Sequence, residues 1–351
     1  MGISSGSSAQ QPAVQSPQHV RLSLAAAMTL GFVKGWFFRN ARLGCINLLL
    51  TYPDGCKANC AFCGLARGNS TDRSFIRVPW RAYLLDEVIE RIKDGPGHVS
   101  RVCVSMITHP RAPRDVVDVC GRVARETGKA VSLLISPTVM ERDHLVAMRD
   151  AGADRIGVAI DAATPDLFER LRGRAVLGPH RWDKYWRVYG ESIEVFGESM
   201  AGVHLICGLG ETEREIVQAI DRAAALGGCT HLFSFFPEKR SAMEHCGAPP
   251  IGAYRRVQLA RWLIDHHMGR CEQMRFDDMG RIADFGLPQH GLDPCIHAGS
   301  PFETSGCPGP DGKVACNRPF GNEKPGEAIR NFPFPPDAQD VCRICAQLGE
   351  F

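Results

Sequence analysis

The segment Cys56-Lys57-Ala58-Asn59-Cys60-Ala61-Phe62-Cys63 sets three thiols within eight residues, in the spacing C-x3-C-x2-C. So short a loop can wrap three corners of a cubane iron–sulfur cluster, because thiolates are the preferred ligands of such centres. The fourth iron then has no protein ligand and is open to a substrate or cofactor, whereas a fully ligated cluster chiefly passes electrons. A zinc knuckle and scattered core cysteines are the competing readings. Zinc sites usually use C-x2-C pairs and complete a tetrahedron, and this loop does neither.

With an aromatic residue, Phe62, just before the last cysteine, the loop resembles the signature of the radical S-adenosylmethionine (SAM) enzymes. The resemblance implies that Cys56, Cys60 and Cys63 carry a [4Fe-4S] cluster whose open iron binds the amino and carboxylate groups of SAM. It further implies reductive cleavage of SAM to methionine and a 5′-deoxyadenosyl radical, which abstracts hydrogen from an unreactive C–H bond. Phe62 is then expected beside the adenine, plain core packing being the alternative.

The loop needs a scaffold, and the sequence supplies alternating strand-like and helix-like segments from Cys45 onward. Strands are expected at Cys45–Thr51, Val99–Ile107, Ala130–Ile135, Arg155–Ile160, Gly202–Cys207 and Thr230–Phe236. Helices are expected at Trp80–Lys93, Arg114–Thr127, Val139–Ala151, Glu211–Leu226 and Tyr254–His266, with a long helical region after Asp161 broken near Gly178-Pro179. The strand runs are continuously apolar, as in parallel sheets covered by helices. Repeated βα units fit a TIM-like or partial barrel as well as a doubly wound sheet. The family resemblance, spanning Gly44 to His267, selects the α/β partial (βα)6 barrel with a C-terminal cysteine-rich extension.

Around a barrel at 44–268 we expect a disordered leader at 1–20, rich in Ser, Gln and Pro, an N-terminal helical segment at 21–43, and an auxiliary-cluster region at 269–351. The apolar stretch Leu22–Val33 lacks a small-residue cleavage site and is too short to span a membrane. A chain of 351 residues with 44% apolar content is ordinary for a globular α/β protein. A net charge of +2 with scattered Lys and Arg argues against nucleic acid as a partner. Fifteen cysteines in so large a chain read as reduced thiols in a cytoplasmic setting rather than a disulfide scaffold.

Ligand-binding residues of such barrels sit at the C-terminal ends of strands. By resemblance, Ser105 is placed for the amino group or methionine moiety of SAM, and Asp161 for the ribose hydroxyls, since a carboxylate accepts hydrogen bonds from vicinal OH groups. Capping of the next helix is the equal alternative for Asp161. Ile206-Cys207-Gly208-Leu209-Gly210-Glu211-Thr212 resembles the family's G-x-I-x-G-x-x-E segment near the adenine. There Gly208 and Gly210 let backbone approach a flat base, and Glu211 starts a helix.

The Asn59–Ala66 context and Phe235-Phe236-Pro237-Glu238 resemble the biotin synthase and lipoyl synthase neighbourhood. Biotin synthases place further cysteines along barrel strands; Cys103 matches one position and the others are missing. Single-chain lipoyl synthases carry a cysteine triad before the loop, where this chain has only Cys45. The tail, with Ser305-Gly306-Cys307-Pro308-Gly309, Ala315-Cys316-Asn317-Arg318-Pro319 and the closing Cys342-Arg343-Ile344-Cys345, resembles the two-component lipoyl synthases.

That resemblance implies sulfur insertion into an octanoyl chain on a lipoyl-carrier protein, a second radical SAM subunit, and flavodoxin or ferredoxin as reductant. The Gly- and Pro-rich tail shows little periodicity, so a metal staple is expected to hold it together. Cys307, Cys316, Cys342 and Cys345 are the expected ligands of an auxiliary iron–sulfur cluster, with zinc as the alternative. Cys295 is the spare thiol. Arg318 or Arg330 is expected to neutralise a substrate or SAM carboxylate. Another radical SAM reaction, a dehydrogenation or a modification of a peptide or small molecule, is the competing function.

Overall fold

The computed structural model describes residues 13–67, 74–75, 78–323 and 326–349. In chain order the elements are β1 (His19–Ser23), α1 (Leu24–Thr29), β2 (Cys45–Leu50), β3 (Ser74–Phe75), β4 (Val78–Leu84), α2 (Leu85–Lys93), β5 (Arg101–Ser105), α3 (Ala112–Thr127), β6 (Ala130–Ile135) and α4 (Arg142–Asp150). There follow β7 (Ala153–Asp161), α5 (Pro165–Leu171), α6 (Trp182–Phe196), β8 (Ala201–Cys207), α7 (Glu213–Ala225), β9 (Cys229–Ser234) and α8 (Ile251–Asp265). The tail adds a β10 (Arg275–Phe276) and β11 (Ile282–Asp284) ribbon, then α9 (Gln289–Ala298), α10 (Arg318–Gly321) and α11 (Ala338–Leu348).

Strands β2, β5, β6, β7, β8 and β9 pair in parallel in that order, each reached through helical connections. This is the six-unit partial barrel that the family resemblance implies. Its edge strands, β3 and β9, are not paired with each other, so the sheet stays open. Alternation along each strand sends one set of side chains outward to the helices and the other into the barrel. Val102 and Val104 join the helix-facing core, while the intervening Cys103 and Ser105 face inward.

Three expectations differ from the fold. Residues 1–12 of the expected leader lie outside the described residues, but residues 15–20 are tied to the sheet by hydrogen bonds. Ser16 is buried, exchanges hydrogen bonds with Thr51, and leads into β1. Strand β1 pairs antiparallel with both β2 and β4, and Arg21 ties this ribbon to Thr51 Oγ1 at 2.9 Å and Trp80 O at 2.6 Å. The helical segment expected at 21–43 therefore reduces to α1, capped by Ser23. The start of the helix expected from Trp80 is strand, because fully buried Trp80 and the pairing with β1 override helical spacing.

The tail also has an apolar core that its weak periodicity does not announce. Phe302, Phe320, Phe332, Ile344 and Leu348 form an apolar cluster with Leu259 and Leu263 of α8. Beside it, buried Arg255 donates to Gln347 Oε1 at 2.9 Å, Gln258 Oε1 at 2.8 Å and Arg330 O at 2.7 Å. The spacing of these aromatics is irregular, so periodicity gives no sign of the cluster.

Candidate active site

The cysteine loop leaves the C-terminal end of β2 through a turn at Gly55, whose φ of +69° favours glycine. Main-chain bonds pin it on two sides: Lys57 N donates to Thr108 O at 2.7 Å and Ala61 N to Leu171 O at 2.8 Å. Asn59 Nδ2 adds a bond to Val176 O at 2.7 Å. Backbone amides already aim at the sulfurs, with Ala58 N donating to Cys56 Sγ and Leu65 N to Cys63 Sγ, both at 3.4 Å. Such N–H···S contacts are a main way proteins tune iron–sulfur centres. Burial raises the Cys60 and Cys63 thiols, more strongly at Cys63.

Cys56, Cys60, Cys63 and Phe62 share the wall of one cavity of about 180 Å³ with Ser105, Asp161, Arg172, His180, Glu238 and Arg318. Three thiols facing one cavity, two with amide donors, fit the open-iron cluster that the spacing implies. The cavity wall also carries the hydroxyl of Ser105 and the carboxyl of Asp161. Ser105, at the end of β5, accepts from Arg318 Nη1 at 3.2 Å.

Asp161 ends β7 in the left-handed region, φ +65°, in a tight turn closed by Ala162 N to Ile160 O at 2.8 Å. Aspartate is among the few non-glycine residues that tolerate this region. Thr164, not Asp161, caps α5. Arg172, fully buried, pairs with Asp161 at 3.1 Å, donates to Ile160 O at 2.7 Å and reaches the Cys60 thiol. Desolvation raises the Asp161 carboxyl in spite of Arg172 and Arg318.

Beside them lies a hydroxyl network missed from sequence. Tyr185 OH meets His180 Nδ1 at 2.7 Å and Ser136 Oγ at 3.3 Å, and Ser136 Oγ meets Thr108 Oγ1 at 2.8 Å. Burial, then Arg172, lowers His180 to about 2, so its imidazole is neutral.

The β8 segment contributes Ile206 and His204 to the wall rather than Gly208, Gly210 or Glu211. A Cβ at Gly208 would meet Pro249 Cδ at 2.6 Å, and Gly210 has φ +117°. The Glu211 carboxylate accepts from Gly208 N at 2.5 Å and Leu209 N at 3.0 Å, shaping this turn, while Thr212 caps the helix.

The four tail cysteines expected at one centre are divided. Cys307 and Cys316 reach the barrel interior near Cys45 and Cys103. Cys342 and Cys345 lie on α11, the first exposed and the second half-buried beside Asp293. Helical spacing holds that pair on the outer helix, away from the barrel. Cys295 is buried in the tail core. Of the two arginines expected to meet a carboxylate, Arg318 lines the cavity, and Arg330 donates to Pro249 O at 2.8 Å.

Comparison with known proteins agrees with this geometry. The sequence model of the Radical SAM superfamily matches residues 50–223. The [FeFe] hydrogenase maturase subunit HydE of Thermotoga maritima is 25% identical over 128 residues, which is 36% of this chain and 34% of that protein. The chain thus spans about a third of the length of this curated relative. The structure of HydG, a maturase of the [FeFe]-hydrogenase, superposes with a TM-score of 0.52 at 14% identity, covering 70% of this chain and 54% of that one. Methylornithine synthase (PylB) gives 0.49 at 14% identity, covering 70% and 67%. These names do not support the lipoyl synthase branch. The family match begins at the end of β2 and takes in the whole cysteine loop, and the chain belongs to the radical SAM superfamily.

Proposed function

We propose that this radical SAM enzyme acts on an apolar carbon chain held along the barrel axis, and that its reaction is sulfur insertion into a protein-bound octanoyl group. The observation that carries this reading is the cavity wall between the cysteine loop and Arg318. It is built from Leu49, Met106, Leu134, Ile135, Ile206 and Phe233, a lining suited to methylenes rather than to a polar metabolite. The tail motifs direct the reading to the two-component lipoyl synthases.

Cys56, Cys60 and Cys63 would hold a [4Fe-4S] cluster that, with SAM, would supply radical chemistry at an unactivated C–H bond, and a second, sulfide-bearing cluster would be the sulfur donor. The protein's own part is positioning. Ser105 and Asp161 offer acceptors to the ammonium and ribose hydroxyls of SAM, and Arg172 holds the Asp161 charge in place. Arg318 offers a cation at the lower end of the cavity. The apolar wall orients the substrate and keeps water from a reactive carbon centre. A lipoyl-carrier protein, a second radical SAM subunit and a flavodoxin or ferredoxin in the cytoplasm complete the proposal. Among the described residues no helix is long and apolar enough to cross a membrane.

The maturase names of HydE and HydG favour a second reading, a radical SAM reaction without sulfur insertion. Anaerobically reconstituted protein, incubated with SAM, dithionite and an octanoylated lipoyl domain, separates the two, alone and with a partner subunit. Deoxyadenosine together with a mass gain of one or two sulfurs is expected. Deoxyadenosine without added sulfur supports the second reading.

A further inference from the structure

The interior of a parallel barrel is ordinarily filled by layers of branched aliphatic side chains. Beneath the cavity just described, the inward layer is different. Strand register sets Asn47 beside Cys103, Cys103 beside Ser132, and His204 beside His231. Two glycines make room for the imidazoles. A Cβ at Gly157 would come within 3.1 Å of His204 Nε2, and one at Gly202 within 2.9 Å of His231 Nε2.

The tail closes this end of the barrel. Ser305 Oγ accepts from Leu232 N at 2.7 Å, Arg101 Nε donates to Pro308 O at 2.8 Å, and Asn317 Nδ2 donates to Arg42 O at 2.7 Å. These bonds carry Cys307 and Cys316 into a small chamber that Cys103 and Ser132 also line.

The sulfurs there are mutual neighbours. Asn47 Nδ2 lies 3.8 Å from Cys45 Sγ and 3.9 Å from Cys316 Sγ. Cys307 Sγ lies 3.8 Å from His231 Nε2, while the other nitrogen of that ring meets Ser305 O. Ser132 Oγ, on a residue 1% exposed, borders the same chamber and bonds to the thiols of Cys103 and Cys307.

We infer that Cys45, Cys103, Cys307 and Cys316 hold a second iron–sulfur cluster in the barrel floor, across Arg318 from the Cys56–Cys63 loop. Four converging cysteines with an amide and a hydroxyl donor are a ligand set for such a centre. Among the described residues no group of three or more His, Cys, Asp or Glu is drawn up tightly enough for a single ion, and this holds for Cys56, Cys60 and Cys63 as well. Tetrahedral zinc requires every sulfur at about 2.3 Å from one point, whereas a cluster spreads its ligands over several irons. Only the use of this site rests on the proposed function: the floor lies at the opposite end of the cavity from the radical source. Leu134, His204, Phe233 and Arg318 border both compartments.

Metal content tests the site without any turnover assay. The full chain carrying Cys56→Ala, Cys60→Ala and Cys63→Ala, reconstituted anaerobically with iron and sulfide, is expected to retain about two to four irons with matching acid-labile sulfide. Adding Cys307→Ser and Cys316→Ser removes them, and adding Cys342→Ser and Cys345→Ser instead leaves them. An iron-free triple variant, iron lost through the α11 changes, or zinc without sulfide overturns the assignment. Should the floor variant fail to fold, the parent chain decides. More than about four irons per chain demands a second centre, and about four or fewer refutes it. An active octanoyl assay with one cluster, or two clusters without sulfur insertion, would tell the two proposals apart.

Discussion

The upper loop and the barrel floor each gather cysteines, but by opposite means. The loop takes its three from eight consecutive residues, anchored by main-chain bonds, with Cys56 and Cys63 half-buried. The floor takes four from β2, β5 and two points of the tail, and its geometry exists only once the sheet is paired and the tail has closed it. A local site can assemble early and tolerate changes far from it. A site made of distant segments is as stable as the tertiary contacts that join them, because each contact must overcome the entropy of loop closure.

The largest test of this contrast lies in the loop. Cys60→Ala should cut SAM cleavage at least about 1000-fold, equivalent to about 4 kcal/mol in the barrier, with little change in the melting temperature. Deoxyadenosine release measured by chromatography checks it, and cleavage within tenfold of the parent would remove the loop from its role.

Next is the arginine beneath the loop. Arg172→Met leaves the buried Asp161 carboxylate without its partner, so a loss of about 3–5 kcal/mol is expected in denaturant unfolding. Less than about 1 kcal/mol would mean that Asp161 is neutral in the fold.

On the floor, Asn317→Ala removes the bonds to Arg42 O and Gly44 N that hold the tail under the barrel. A cost of about 1–3 kcal/mol follows for a buried amide pair left unsatisfied, together with reduced iron retention in the loop-cysteine-free chain. Unchanged iron retention would detach this tether from the floor site.

The hydroxyl network adds a pH signature. His180 is held near 2 in the fold against 6.5 in the unfolded chain, so the unfolded state binds the extra proton between those values. Stability is then complete above pH 6.5 and declines as pH falls below it, by up to about 1.4 kcal/mol per unit. His180→Gln should flatten that decline in unfolding curves taken from pH 7 to 5; an unchanged slope assigns it to other groups. Smallest of all, Cys342→Ser with Cys345→Ser should leave iron content and melting temperature within error. A measurable loss of iron would return those thiols to a metal site.

The contrast also explains what was legible in the sequence. The spacing of Cys56, Cys60 and Cys63 is the site itself, and the continuous runs at Ala130–Ile135 and Cys45–Leu50 are the strands, because both depend on neighbours along the chain. Ser105, Asp161 and Phe62 follow from strand ends and loop position, and all three stand in the cavity wall. Arg172 and His180 gave no local signal, since their meaning comes from the fold of α5 and α6 against β7. Strand β1 was hidden because its partners lie about thirty and sixty residues onward in sequence. Cysteine counting groups Cys307 with Cys342 by proximity in the tail, whereas its place beside Cys103 and Cys316 depends on how the tail closes the barrel.

Arg318 stands in the wall of both compartments, with one nitrogen on Ser105 of the upper one. Two ligands that meet the same guanidinium from opposite sides have linked affinities. Whatever factor occupancy of the floor imposes on SAM or substrate binding, their binding must impose equally on the floor. The barrel would then behave as a two-site equilibrium whose sign could be measured from either end.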